Sequence, residues 1–346
     1  MIIDTSRYFY AAGTSSFEFQ LSTRIIFGDG TVRRLSGEIK GRGGSSLLIV
    51  TSEGMPNRPL FKEVISDLEK EGIAVRVFSS TPPEPSVADA DRCIKFARQA
   101  KPDLVVGIGG GSAMDVAKKT ALEIDVPKIM IPTTAGSGSE VTFNSVLLVQ
   151  GMKKSFSDAR LAADVAIVDP DLLKTMPPAI MVCSAMDAMS HAVESYGARK
   201  GNDITRALAL EAYLLTRDNV EQALSGEAEG RRKIATGSLM AGMALTGTGT
   251  TLGHALAYPL SNRGMTHGQS LAAVLPYLLK INHFDADHAD KLQSLRRKYC
   301  SLPQIAWDIP AMAAEVAADE RHLANNPRDV TLQEITDVYA GIREEA

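Results

Sequence analysis

The stretch Leu104-Val105-Val106-Gly107-Ile108-Gly109-Gly110-Gly111-Ser112-Ala113-Met114-Asp115-Val116-Ala117-Lys118-Lys119 decides how this chain folds. Leu104 to Ile108 is a short apolar run of the kind that forms a buried strand. It passes through Gly109-Gly110-Gly111 into a segment that reads as helix. Ser112 stands where an N-cap is expected, and Asp115, three residues on, would complete a capping box. Glycines let a backbone approach a phosphate closely, and a helix N-terminus offers free N–H groups and the positive end of its dipole. The spacing is not G-x-G-x-x-G, so the same residues also suit a plain strand-to-helix turn.

On both sides of this stretch, strand and helix signals alternate. Leu47-Leu48-Ile49-Val50 and Val75-Arg76-Val77-Phe78 read as strands, as do the segments at Leu104 and Lys128 and Val165-Ala166-Ile167-Val168. Leu60 to Glu71 and Val87 to Ala100 carry helical spacing between them. This alternation predicts a parallel sheet with helices on both faces. After Pro177-Pro178 the pattern turns Ala-, Leu- and Met-rich and helical, which sets a domain boundary near residue 172 and two domains, 1–172 and 173–346. A second loop follows the strand at Lys128: Pro132-Thr133-Thr134-Ala135-Gly136-Ser137-Gly138-Ser139-Glu140-Val141-Thr142. It offers hydroxyl and backbone donors to a phosphate-bearing ligand, and it also suits an ordinary flexible loop. Ligands of open α/β sheets sit beyond the C-terminal strand ends, so the two loops can face one cleft.

The chain has six histidines, and three of them form a pattern with one aspartate in the helical half. Asp187 and His191 are spaced to share a helix face. His254 and His267 flank a Pro- and Gly-containing stretch, Tyr258-Pro259-Leu260-Ser261-Asn262-Arg263-Gly264. Three imidazoles and a carboxylate suit a first-row divalent cation such as Fe(II) or Zn(II). Taken alone, the four could equally be unrelated core or surface residues.

Together and in this order the segments resemble the iron-containing (group III) alcohol dehydrogenase family, a relative of dehydroquinate synthase and the glycerol dehydrogenases. The residues that carry the resemblance are Gly109-Gly110-Gly111-Ser112-x-x-Asp115-x-x-Lys118, Pro132-Thr133-Thr134-Ala135-Gly136-Ser137, Asp187-x-x-x-His191-Ala192-x-Glu194-x-Tyr196, Gly253-His254-Ala255, His267-Gly268 and Asn325-Asn326-Pro327-Arg328. The resemblance implies a Rossmann-like dinucleotide-binding domain followed by an all-α metal- and substrate-binding domain. It implies NADH or NADPH on Gly110, Gly111, Ser112, Thr133, Thr134 and Ser137, with Asp115 and Lys154 near it, Lys153 as the alternative to Lys154, and Asn144 as a further candidate. It implies Fe(II), with Zn(II) as alternative, on Asp187, His191, His254 and His267. A homodimer or larger homo-oligomer is common among relatives.

Three departures bear on specificity. Where many members carry an aspartate after the first strand, this chain has Val50-Thr51-Ser52-Glu53, so NADPH is expected to be accepted. A Pro-Asn-Pro pattern reads Pro83-Glu84-Pro85 here. Where many members carry a second histidine four residues after His254, this chain has Tyr258, expected either to line the pocket and orient substrate or simply to pack. The His-Ala-x-x-Tyr-Pro-Leu form resembles members that reduce small anionic aldehydes, phosphonoacetaldehyde among them, and Arg263 is a candidate anion partner. Maleylacetate reductases and sugar-acid, polyol or glycerol dehydrogenases remain alternatives. A dehydroquinate synthase-like lyase is disfavoured, because its metal set usually includes Glu with two His, and the complete ligand set disfavours a non-catalytic nucleotide binder.

Composition excludes other classes. The chain is 45% hydrophobic and 23% charged, as in globular proteins. A net charge of -4 gives no reason to expect nucleic acid or an anionic membrane as partner. No apolar run is long enough to span a bilayer, and Met1–Arg7 lacks the pattern of a signal peptide. Cys93, Cys183 and Cys300 are an odd, scattered set that fits a reducing cytoplasm.

Overall fold

A computed structural model describes residues 16–346. Met1–Arg7, read above for a signal peptide, lies outside them. Strands β1 (Arg24–Phe27), β2 (Ser46–Val50), β3 (Ala74–Phe78), β4 (Leu104–Gly109), β5 (Lys128–Pro132) and β8 (Val165–Val168) form one sheet in the order β1-β8-β5-β4-β2-β3. Every neighbouring pair in it is parallel. The order in which strands are added reverses after β3, with β4 placed on the other side of β2, so the glycine-rich turn after β4 opens at the switch point of the sheet, where such sheets bind ligands. Thr51, at the end of β2, ties the two strands there by donating its hydroxyl to Ile108 O at 2.6 Å.

The pleat sorts the side chains into two cores. Leu47, Ile49, Leu104, Val106, Ile108, Ile129 and Ile131 pack under α1 (Leu35–Lys40) and α2 (Pro59–Lys70). Leu48, Val50, Val105 and Met130 pack under α3 (Val87–Ala100) and α4 (Gly111–Ile124). Strands buried on both faces have no reason to alternate polar and apolar residues, hence the continuous apolar runs. Gly107 is needed where α4 crosses β4: a Cβ there would lie 2.7 Å from Met130 Sδ and 2.9 Å from the Ala117 Cβ.

Two local expectations are corrected. The N-cap of α4 is Gly110, not Ser112, and no side chain caps that helix. With extended glycines leading out of β4, the helix starts at Gly111, so Ser112 falls inside its first turn and Asp115 points elsewhere. The alternation also missed an antiparallel hairpin, β6 (Asn144–Val149) and β7 (Met152–Ser157), closed by Gln150-Gly151 with φ of 52° and 81°. Two positive φ values are the mark of a tight hairpin turn, but Gln-Gly is a weaker signal for one than Asn-Gly.

The rest is helical. Helix α5 (Pro178–Gly197) is buried at every position from Ala185 to Gly197, which is why its sequence carries apolar residues on all sides. Around it pack α6 (Asp203–Leu224), α7 (Ala228–Thr248), α8 (Leu252–Ser261), α9 (His267–Ile281) and α10 (Ala289–Tyr299), and α11 (Ile309–Ala317), α12 (Glu320–Leu323) and α13 (Leu332–Glu345) pack outside them on α8 and α9. The last sheet strand ends at Val168 and α5 begins at Pro178, on either side of residue 172. The loop after β5 meets the helices through backbone: a Cβ on Gly138, whose φ is 61°, would lie 2.5 Å from Gly242 Cα, and one on Gly136 would lie 2.7 Å from Ser184 O. No helix of the described residues is long and apolar enough to cross a membrane.

Candidate active site

Asp187 and His191 stand one turn apart on α5, with His191 Nε2 3.5 Å from Asp187 Oδ1. His254 enters at the start of α8, and His267 is the first residue of α9, behind the capping box of Thr266 and Gln269. The His191 and His254 rings stack at 4.9 Å, and the His267 ring lies 5.4 Å from that of His254. Donor atoms of Asp187, His191 and His254 lie within 4.8 Å of one another, and His267 Nε2 comes to 3.9 Å from Asp187 Oδ1. All four sequence candidates therefore converge, with His267 the loosest.

Their polar atoms are set for a cation. Asp187 Oδ1, the oxygen nearest His191 Nε2 and His267 Nε2, is buried with no hydrogen-bond partner, a cost a fold does not bear without a compensating ligand. His191 Nδ1 meets Gly136 O at 3.1 Å, which leaves Nε2 facing the centre. His254 Nδ1 meets Glu194 Oε2 at 2.6 Å, a carboxylate-backed imidazole as metal sites use. Glu194 is fully buried, and its other oxygen accepts from the Thr251 and His254 N–H groups at 2.7 Å and 3.1 Å. Burial would raise this carboxyl, but His254 and the backbone donors outweigh it and hold it down at about 2. Burial lowers His191, against the pull of Asp187. Burial, then the Lys153 ammonium and the other two imidazoles, push His267 well below the usual imidazole range. Neutral imidazoles are the metal-binding form. For His254, burial is outweighed by Glu194 and the group is raised, a proton a cation would displace. The donor set fits a divalent transition metal such as iron.

Across the cleft, the two loops lie side by side. Thr133 N donates to Gly109 O at 2.9 Å, a Cβ on Gly110 would lie 3.4 Å from Thr134 Oγ1, and one on Gly111 would meet Ser137 Cβ at 3.0 Å. Ser112 Oγ accepts from Glu84 N at 3.2 Å. Three sequence candidates are otherwise engaged. Asp115 accepts from Ser139 Oγ at 2.6 Å and Val146 N at 2.9 Å and pairs with Lys118 at 3.1 Å, so it braces the hairpin and the second loop. Asn144 Oδ1 accepts from Ser157 Oγ at 2.6 Å. Lys154 lies over the Phe156 ring at 5.9 Å, while Lys153 is the lysine turned to the centre, since neighbouring residues of a strand point to opposite faces.

Glu84 is the residue whose reach the sequence concealed. Its Oε1 accepts from Lys153 Nζ at 2.9 Å and from His267 N at 2.8 Å, so one carboxylate links the sheet domain, the hairpin and the helix that carries His267. It holds this place from a left-handed φ of 51°, strained for a residue with a Cβ. Glu194 could have been noticed from its i+3 spacing to His191; nothing near Glu84 signals contact with a residue so distant. Tyr258 is mostly buried, edge-on to His254 at 6.3 Å. Burial pushes its phenol up to about 12. Arg263 is engaged: Nη2 and Nη1 donate to Glu315 at 2.6 Å and 3.2 Å, and Nη1 also to Pro259 O at 3.0 Å. Asn325 Nδ2 donates to Thr248 O and Thr250 O at 3.0 Å and 3.2 Å, bracing the loop that leads into α8.

A parallel sheet with a phosphate-type turn at its switch point, set against a buried carboxylate–imidazole cluster on helices, defines a metal-centred nucleotide-dependent enzyme class. Known proteins supply the family. The model of iron-containing alcohol dehydrogenases matches residues 22–170, and that of the C-terminal region of the Fe-containing alcohol dehydrogenase family matches residues 181–300. Long-chain-alcohol dehydrogenase 1 of Geobacillus thermodenitrificans is 36% identical over 286 residues, covering 74% of this chain and 72% of its own length. Lactaldehyde reductase of Escherichia coli is 26% identical over 373 residues, covering 92% and 97%. The crystal structure of sulfoacetaldehyde reductase from Bifidobacterium kashiwanohense in complex with NAD+ superposes with a TM-score of 0.86 at 26% identity, over 95% of this chain and 99% of that one. The chain belongs to the iron-containing alcohol dehydrogenase family, and it is an oxidoreductase.

Proposed function

We propose that this protein interconverts a short primary alcohol and its aldehyde, with NADH or NADPH as hydride partner and a divalent iron held by Asp187, His191, His254 and His267. The observation that carries the reading is the convergence of these four residues around the buried, unpartnered Asp187 Oδ1, across the cleft from the glycine-rich turn. When bound, the ion supplies Lewis acidity to the substrate oxygen. The protein's residues do the placing. Glu194 orients His254, Gly136 orients His191, and Glu84 holds the first turn of α9. The backbone of Gly110 and Gly111 and the hydroxyls of Ser112, Thr133, Thr134 and Ser137 receive the dinucleotide, so that its nicotinamide faces the substrate carbon in a geometry ready for hydride transfer. Residues 1–172 bind nucleotide and 173–346 bind metal and substrate. The protein works in the cytoplasm as a homodimer or larger homo-oligomer.

A refinement concerns charge. The structural neighbour named above is a reductase of an anionic aldehyde. With Arg263 engaged by Glu315, the candidate cation for a sulfonate, phosphonate or carboxylate is Lys153, whose ammonium acts on both Asp187 and His267.

The test is NADH and NADPH consumption by protein reconstituted anaerobically with Fe(II), against neutral and anionic short aldehydes. Stoichiometric consumption that is lost in His267→Ala is expected. Absence of turnover with every aldehyde, despite bound metal and nucleotide, would overturn the reading in favour of a redox-neutral lyase. Because Ser52 stands where a carboxylate would repel a 2′-phosphate, NADPH is expected to be used; a strong preference for NADH refutes that part alone.

A further inference from the structure

The three cysteines are free thiols, and all are buried. Cys93 belongs to the core under α3, away from the other two. Burial pushes its thiol up to about 12, so it stays protonated and unreactive. Cys183 and Cys300 lie far apart in the chain and meet in the core of the helical half. Cys183 is in the second turn of α5, and Cys300 is the C-cap of α10. A hydrogen bond between the two thiols is the largest influence on each, holding Cys183 up and Cys300 down.

A buried cation accompanies the pair. Arg296 stands one turn before Cys300 on α10, its carbonyl accepting from Cys300 N at 2.7 Å. Its guanidinium donates from Nη2 to Glu345 Oε2, yet Nε is buried with no hydrogen-bond partner. The positive charge acts on both sulfurs and favours their anionic forms. A thiol beside an arginine, accepting a hydrogen bond from a second thiol, has the setting of a reactive cysteine with its resolving partner. The pair is also joined to the metal ligands. Cys183 precedes Asp187 by one turn on α5. A Cβ on Gly268, the residue after His267, would lie 3.2 Å from Cys183 Cβ, so the first turn of α9 packs directly on Cys183. In that same turn Gln269 Nε2 donates to the carbonyl of Ser301, the neighbour of Cys300, at 3.0 Å. Ser301 is exposed, so the Cys300 end of the pair lies next to solvent.

We propose that Cys183 and Cys300 are a redox site that hydrogen peroxide closes to a disulfide, and that closing it loosens the metal centre one turn away. The disulfide stands on the two thiols themselves, while its effect rests on the ligand set proposed above. The Cys300 thiolate attacks one peroxide oxygen; an S–O bond forms, the O–O bond breaks, and hydroxide leaves and is protonated to water. The Cys183 thiolate, its proton given up, then attacks the Cys300 sulfur; the S–S bond forms, the S–O bond breaks, and a second water leaves. Two thiols lose two electrons and one peroxide gains them. A dithiol reductant reverses the step by exchange. Two thiols in contact stand wider apart than the S–S bond of about 2.05 Å, so closure draws Cys183 towards Cys300. Gly268 packs on Cys183 with little room for even one added carbon, so the shift passes to His267 beside it and along α5 to Asp187.

The experiment treats the full chain, loaded with redox-inert Zn(II), with hydrogen peroxide. Thiols are counted in denaturant, the digest is mapped by mass, and Zn(II) affinity is read by competition with a chromophoric chelator. Expected is a fall from three thiols to one, with Cys93 the survivor and a peptide pair joined through Cys183 and Cys300. Zn(II) affinity should fall about tenfold or more, the scale of a disturbed ligand surrounding, and dithiothreitol should restore both thiols and affinity. In Cys300→Ser the Zn(II) affinity should start at the wild-type value and ignore peroxide. Three surviving thiols, or thiols lost to sulfinate without a cross-link, overturn the site. A cross-link that leaves Zn(II) affinity unchanged overturns its control of the centre. Should Cys300→Ser fail to fold, Cys183→Ser is read the same way, and the wild-type thiol count needs neither variant. A reduced wild type that binds no metal would instead sink the metal reading, while the thiol count still decides the disulfide.

Discussion

Glu194 shows how much one buried carboxylate can control. It bonds the His254 ring, the His254 N–H and Thr251 together, without facing the cleft itself. Replacing Glu194 with Gln keeps the shape but removes the charge that orients and enriches the imidazole. Metal affinity is expected to fall about 10–100-fold, the usual cost of losing such a partner, as read by titration of the apoprotein with Fe(II) or Zn(II). Glu140 is a different kind of buried acid. Burial raises its carboxyl from 4.5 to about 7, only partly offset by its own N–H and by Lys118. The folded state therefore binds the proton more tightly than the unfolded one. The protonated form's stability is fully present below pH 4.5 and is lost as pH rises through about 7. Glu140→Gln removes the penalty, so its Tm advantage over wild type should be small at pH 5 and grow by pH 8. An advantage independent of pH would contradict this.

Elements decide which side chains are presented. On the β6–β7 hairpin, Lys153 faces Glu84 and the cleft while Lys154 lies on Phe156. Lys153→Ala is expected to lower kcat/KM by about tenfold or more, the scale of a hydrogen bond to a charged group, and Lys154→Ala to leave it nearly unchanged. Equal effects would mean the hairpin register is wrong. The loop after β5 is held by glycine backbone against α5 and α7, and the same loop supplies the carbonyl that orients His191. Gly138→Ala puts a Cβ 2.5 Å from Gly242 Cα at a left-handed φ. It should cost about 2–4 kcal/mol of stability from strain and overpacking and weaken metal binding with it, as read by denaturant melts and metal titration.

At the scale of the whole molecule, the proposed metal ligands come from α5, α8 and α9, and the cleft is bridged on its hairpin side by Glu84. A cation here would cross-link three helices and satisfy the orphaned Asp187 Oδ1. Chelation is therefore expected to lower Tm by an amount that depends on metal concentration, as mass action requires. A Tm indifferent to chelator would argue that the cluster is not a metal site. The sheet was legible because strands buried on both faces stay apolar throughout and because glycines mark the turn beyond β4. The hairpin was not, because Met152-Lys153-Lys154-Ser155-Phe156-Ser157 carries few apolar residues and its turn lacks a strong signal. Ser112 was misread as a cap because the glycines before it let the helix begin early.

Periodicity and residue type along the chain carried the parallel α/β architecture and the helical second half, and pointed to Asp187, His191, His254 and His267, the four residues that converge. Each depends on local periodicity or on residue types too costly to bury without purpose. Packing in three dimensions set which lysine faces the cleft, that Asp115 and Arg263 are engaged elsewhere, that Glu84 reaches His267 and that His322 stands behind Tyr258. Those contacts join residues far apart in the chain. Their partners are set by how helices and loops pack, and no spacing rule along the sequence encodes that distance.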